Sequence, residues 1–136
     1  MESSVIRSER GASAVETAFI LALFLIPLML GLTDVARLLF NRIALQEAAQ
    51  QGAFHYAFEE TTTSGEVIAQ VINSIDSPVL VAADVTTSCT NVTRSGANAA
   101  EVTVTVTKDI GLLFPLIPGP INLTRTATAE RFYPCP

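Results

Sequence analysis

Arg7 to Leu32 reads RSERGASAVETAFILALFLIPLMLGL. A polar stub leads into an apolar run, and near the start of that run stands an acid, Glu16. From Thr17 to Thr33 there is no ionisable residue, and Leu, Ile, Ala and Phe dominate. Seventeen helical residues cover about 26 Å, and extension back to Ala12 gives about 33 Å. A bilayer's hydrocarbon core is about 30 Å thick, so the run is long enough to span it.

Two readings fit such a segment. A cleaved secretory signal needs small residues at a cut after the run. The following GLTDVAR carries no A-x-A, only a weak candidate after Thr33. A retained membrane helix is favoured by its flanks. Arg7 and Arg10 precede the run, so the charge bias keeps the N-terminus in the cytoplasm and sends the rest of the chain across. Glu2 and Glu9 offset those charges, but acids count little in that rule.

The remaining composition narrows the function classes. The chain has 136 residues, 49% hydrophobic and 15% charged, with a net charge of -5. That length suits one domain with an anchor. With no basic patch to neutralise phosphates, nucleic acid is not an expected partner. No Ser-His-Asp arrangement, phosphate-binding glycine loop or metal-ligand spacing stands out, so neither an enzyme nor a cofactor is expected. His55, the single histidine, lies on a polar helix face and reads as a solvated residue. Asn91-Val92-Thr93 and Asn122-Leu123-Thr124 match the glycosylation acceptor pattern, as Thr-rich strands do by chance.

Beyond the run the helical pattern continues to Glu60 without proline. Val35, Leu38, Leu39, Leu45, Ala49, Ala53 and Ala57 are expected on one broad face, with Arg37, Asn41, Gln51 and His55 opposite. Thr63 and Glu66 have capping-box spacing and start a second helix, with Val67, Ile68, Val71, Ile72 and Ile75 as its apolar stripe. Ser77-Pro78 is expected to end it. The period then changes to two. Pro78–Ser88 reads as a strand, Thr90–Ala99 as a polar loop, Glu101–Lys108 as a second strand and Asn122–Phe132 as a third. Between the last two, IGLLFPLIPGP is apolar and holds three prolines, so it cannot lie in mid-sheet. Its Leu112, Leu113, Phe114, Leu116 and Ile117 either cover the sheet or form an exposed patch for a partner or a membrane surface.

RGASAVETAFILALFLIPLMLGLTDVARLLFNRIALQEAAQQGA, from Arg10 to Ala53, resembles the TadE-like minor pseudopilins of tight-adherence (Flp) pilus systems, within the wider type IV pilin-like group. The string GASAVE at the helix head carries the resemblance, and TVTVTKDIGLLFPLIPGPINLTRTATAERF is similar to the strand–proline loop–strand ending of that family. Thr17 stands where an aromatic residue often follows the Glu.

The resemblance implies a prepilin peptidase cut between Gly11 and Ala12, leaving Glu16 as the fifth residue of the mature chain. It implies a leader at 1–11, a transmembrane and assembly helix at 12–33, and an exported α+β domain at 34–136. The expected fold is thus α+β: a long anchored helix, a short second helix and a small three-stranded antiparallel sheet. The expected partners are the peptidase, other Flp pilins and pseudopilins, the inner-membrane platform and membrane lipid, at the cytoplasmic membrane or in the pilus. Cleavage would free an ammonium on Ala12, one helical turn from Glu16 and within side-chain reach. The same pairing with a neighbouring subunit would make Glu16 a register device for assembly. Pro27 removes a backbone hydrogen bond and can kink the helix. Cys89 and Cys135, the only cysteines, would both be exported, and an oxidising compartment favours a disulfide over two separate thiols. A different class remains open: an uncleaved single-pass envelope protein whose exported domain binds a soluble ligand or partner.

Overall fold

A computed structural model of the chain describes residues 5–60, 62–94, 97–113 and 119–136. Helix α1 runs from Val5 to Phe58, 54 residues in one element, or about 81 Å at about 1.5 Å per residue. Pro27 lies inside α1 without ending it. The missing N–H leaves one backbone acceptor, four residues back at Leu23, without its helical donor. The N-terminal half is apolar and stands free: Phe19, Leu23, Phe24 and Leu28 are all exposed. It is long and apolar enough to cross a membrane. Thr17 and Thr33 donate their hydroxyls to the carbonyls of Ser13 and Met29, at 2.9 and 2.8 Å, so neither presents an unmade bond on that surface.

Helix α2 spans Ser64–Asn73 behind a complete capping box. Thr63 Oγ1 accepts from the Glu66 N–H, and Glu66 Oε2 accepts from the Thr63 N–H at 2.8 Å. The helix ends at Ser74, earlier than the Ser77-Pro78 boundary that proline imposes on sequence grounds. The peptide bond before Pro78 is cis. A single 3₁₀ turn at Ala82–Asp84 follows.

Three antiparallel strands, β1 Val85–Arg94, β2 Ala97–Ile110 and β3 Ile121–Arg131, lie in the order β1-β2-β3. The fold is therefore α+β, with one long helix, one short helix and a three-stranded sheet. Val102, Val104 and Val106 point inward and are fully buried, while Thr103, Thr105 and Thr107 face outward, as alternation requires. The core closes between this inner face, α2 through Val67 and Val71, and the Ala-rich part of α1 through Leu45, Ala48, Ala49 and Ala53.

Three expectations change. Val79–Val81 is not strand. The Val81 N–H bonds to Asp84 Oδ2 at 3.0 Å, which turns the chain and delays β1 to Val85. Much of the expected polar loop at 90–99 is paired instead, with Thr90 opposite Glu101 and Thr93 opposite Asn98. Cys89 therefore lies midway along β1 rather than at its end. The inward face of α1 is also rotated in its upper part. Val35 and Leu39 are more than half exposed and Asp34 is buried, while Asn41 lies partly buried on the inward side. From Ala48 the steps of three and four residues lead back through Leu45, Asn41 and Leu38 to Asp34, and this line packs inward. Phe114, Leu116 and Ile117, expected to form part of the loop's apolar cluster, lie outside the described residues.

Candidate assembly and membrane-anchoring site

The helix head comes first. The backbone is helical through Gly11 and Ala12, and Glu16 is exposed on the free part of α1. Positions 12 and 16 are four apart, so they share one face of the helix.

The second feature is the junction between the free helix and the domain. Asp34 immediately follows the run without ionisable groups and is only 6% exposed. Its Oδ1 accepts the backbone N–H of Leu113 at 2.9 Å, a bond spanning 79 positions in sequence. Arg37 Nη1 lies 3.8 Å from the same oxygen. The clasp fixes the end of the β2–β3 hairpin to the helix where the helix enters its domain. Nothing in the local sequence marks Asp34. Its partner is a backbone amide, which has no residue signature, and it interrupts a stretch where apolar periodicity is the only guide.

At the opposite end, Arg131 is 1% exposed. Its Nη2 donates to the Glu60 carbonyl just beyond α1, and its guanidinium lies 5.4 Å from the Tyr56 ring centroid. A cation near a helix C-terminus is favoured by the helix dipole, and an aromatic face adds a cation–π term. Nε and Nη1 have no hydrogen-bond partner among the described residues. Arg131 thus ties β3 to the end of the long helix.

Cys89 and Cys135 are bonded, with Cα atoms 5.8 Å apart. The Cys135 N–H also donates to Asn91 Oδ1 at 2.8 Å. The tail after β3 therefore crosses β2 to reach β1, since β2 lies between them.

A further apolar surface remains on α1. Val35, Leu39, Phe40, Ile43, Phe54 and Phe58 are all more than half exposed. At about 100° per residue they cluster opposite Leu38, Leu45, Gly52 and Tyr56. The helix therefore has one side covered by its own sheet and a bare side that continues the free N-terminal half as far as Ile43, turns polar at Gln46, Glu47 and Gln50 and is apolar again at Phe54 and Phe58. Among the described residues no group of three or more His, Cys, Asp or Glu side chains could hold a metal ion.

A free apolar helix that continues into the packing helix of a small antiparallel sheet defines a pilin-like α+β protein with a candidate membrane anchor. Residues 11–53, almost all of the long helix beyond its first turns, match the family model described as TadE-like protein. That match makes residues 11–53 similar to TadE-like proteins, which links the chain, in general terms, to the Tad (Flp) pilus system and its components. No curated protein and no solved structure matches the chain.

Proposed function

We propose that the chain is a minor pseudopilin, a non-catalytic subunit that takes part in assembling a Tad pilus and so supports adhesion and biofilm growth. The observation that carries this is the bare side of α1, which is apolar from the free half through Leu39, Phe40 and Ile43 and again at Phe54 and Phe58, while the domain covers only the other side. Helices with one face held by their own sheet and the other bare are suited to bundle with like helices. The anchor inserts with Arg7 and Arg10 on the cytoplasmic side and the domain beyond the membrane, at the bacterial inner membrane. The disulfide agrees with that side being oxidising.

In this reading the prepilin peptidase cuts between Gly11 and Ala12. Gly11 lowers the cost of unwinding the helix at that bond by about 1 kcal/mol relative to Ala. The new ammonium on Ala12 pairs with Glu16 of its own or a neighbouring chain. The subunit's partners are other Tad pilins and the inner-membrane platform. Mass spectrometry of the intact protein from its native membrane tests the proposal. A mature chain beginning at Ala12 is expected. A chain retaining residues 1–11 would instead support an uncleaved envelope protein.

A further inference from the structure

We infer that the end of the β2–β3 hairpin, Gly111–Leu113, is a second membrane contact, which seats the exported domain directly on the lipid surface beside its own anchor. The inference rests on the reading of Thr17–Thr33 as a membrane span. The decisive juxtaposition is the Asp34–Leu113 clasp: the Leu113 amide is held at 2.9 Å by the residue that follows the span. Asp34 therefore sits at the edge of the hydrocarbon core, and Leu113 sits at the same depth. Leu113 nonetheless leaves 57% of its surface uncovered by protein, and Leu112 is only half-buried. An exposed leucine held at that level faces acyl chains and the base of the headgroup layer.

The groups above the loop match the next layer of the bilayer. Arg37 is one helical turn beyond Asp34, about 4.5 Å further along the axis. The headgroup region on each side of a bilayer is about 5–8 Å deep, so the Arg37 backbone lies within it while the guanidinium, 3.8 Å from Asp34 Oδ1, reaches back to the base of that layer. Arg37 and Lys108 line a groove of about 440 Å³. Lys108 is paired with Asp84 at 2.7 Å, and Asp109 on the same rim accepts from Asn122 Nδ2 at 2.8 Å. The Arg37 side chain is 46% exposed, and its reach past Asp34 suits a lipid phosphate. A basic residue just above an apolar contact is the usual layering of interfacial anchors. A second copy of the chain is the weaker occupant, because it would have to reach Leu113 within the plane of the membrane, where lipid is already present.

The test uses the full oxidised chain in phosphatidylethanolamine–phosphatidylglycerol vesicles. With Cys89 and Cys135 bridged, Leu113→Cys offers a single thiol for an environment-sensitive fluorophore. Phe24→Cys in the span and Thr128→Cys on the outer sheet face are labelled in parallel. The Leu113→Cys label is expected to emit to the blue of the Thr128→Cys label. It should lose intensity to lipids carrying a nitroxide near the headgroup, whereas the Phe24→Cys label responds to a deep nitroxide. If the Leu113→Cys label instead emits like Thr128→Cys and is quenched by aqueous iodide, the inference is overturned. A blue shift that no lipid nitroxide quenches, or that vanishes as the protein is diluted with lipid, would mean a protein neighbour and would also overturn it. A Phe24→Cys label in water would remove the span reading itself, which is a separate failure. Adding Asp34→Ala to the Leu113→Cys protein should reduce headgroup-nitroxide quenching while the disulfide stays intact. Undiminished quenching there would show that the clasp does not set the loop's depth.

Discussion

At Gly52 the backbone of α1 packs directly against α2. A Cβ there would collide with Val71 Cγ2, and Val71 is itself fully buried and cannot swing aside. Overpacking of this kind costs about 1–3 kcal/mol, against about 1 kcal/mol gained in helix propensity on replacing Gly with Ala. Gly52→Ala is therefore expected to destabilise the domain by about 1 kcal/mol, seen as a lower melting midpoint in near-UV circular dichroism of the detergent-solubilised chain. Asp84 supports a pH prediction. Burial raises its pKa, but the hydrogen bond from Lys108, the Val81 N–H and the Lys108 charge outweigh that, so the folded carboxyl titrates below the ordinary aspartate range. A depressed pKa adds stability that is present at neutral pH, begins to fall below the usual aspartate value of about 3.9, and is gone below the folded value. Lys108→Met should lower stability at pH 7 by about 1 kcal/mol, since both groups are partly exposed and solvent screens them. It should also flatten the acid limb of a plot of melting midpoint against pH. An unchanged acid limb would assign that slope to other carboxylates.

At the scale of elements, the legible parts were those set by local chemistry. Thr63 and Glu66 announce α2 because a capping box is a contact between neighbours in sequence, and both of its bonds are present. Val102, Val104 and Val106 announce β2 because a half-buried strand must alternate. Local pattern misleads where two surfaces compete for it. Between Asp34 and Ile43 the helix leaves the free apolar run and is apolar on both sides, so periodicity cannot tell the domain side from the bare side. The choice is made further along, where Ala48, Ala49 and Gly52 admit close packing, and the helix geometry carries it back to Asp34. Likewise Val79–Ala83 has strand-like composition, but the Asp84 cap turns the chain there. The clasp at Leu113 and the seat of Arg131 use main-chain acceptors and donors far away in sequence, and no residue pattern encodes those. The disulfide belongs to this scale as well. It joins positions 46 apart, for which chain entropy gives about 4 kcal/mol. Cys135→Ser should lower stability by up to about that amount. It should also free the tail from Asn91 and speed proteolysis after Arg131. Equal cleavage rates in the two proteins would mean that the Asn91 bond alone holds the tail.

For the whole molecule, the question is what a bare apolar helix with one acid near its head is built to do. The domain leaves the free half of α1 uncovered, including Glu16. In lipid a carboxylate costs about 2.5–3.5 kcal/mol at mid-membrane and less near the surface. A lone acid kept only for its place in the first turn would gain less than 1 kcal/mol from the helix dipole. The proposed cut between Gly11 and Ala12 would free an ammonium on Ala12, a partner for Glu16 four residues away or on a neighbouring subunit. Processing and assembly should therefore separate genetically. Gly11→Leu should leave the long form in the membrane. Glu16→Gln keeps the shape and removes the charge, so it should insert at least as well as the parent and still be cut. Yet it should recover far less of the other Tad pilins in a pull-down from solubilised membranes. Normal recovery with Glu16→Gln would reduce the acid to a first-turn residue and leave assembly to exposed apolar residues such as Leu39, Ile43 and Phe54 alone.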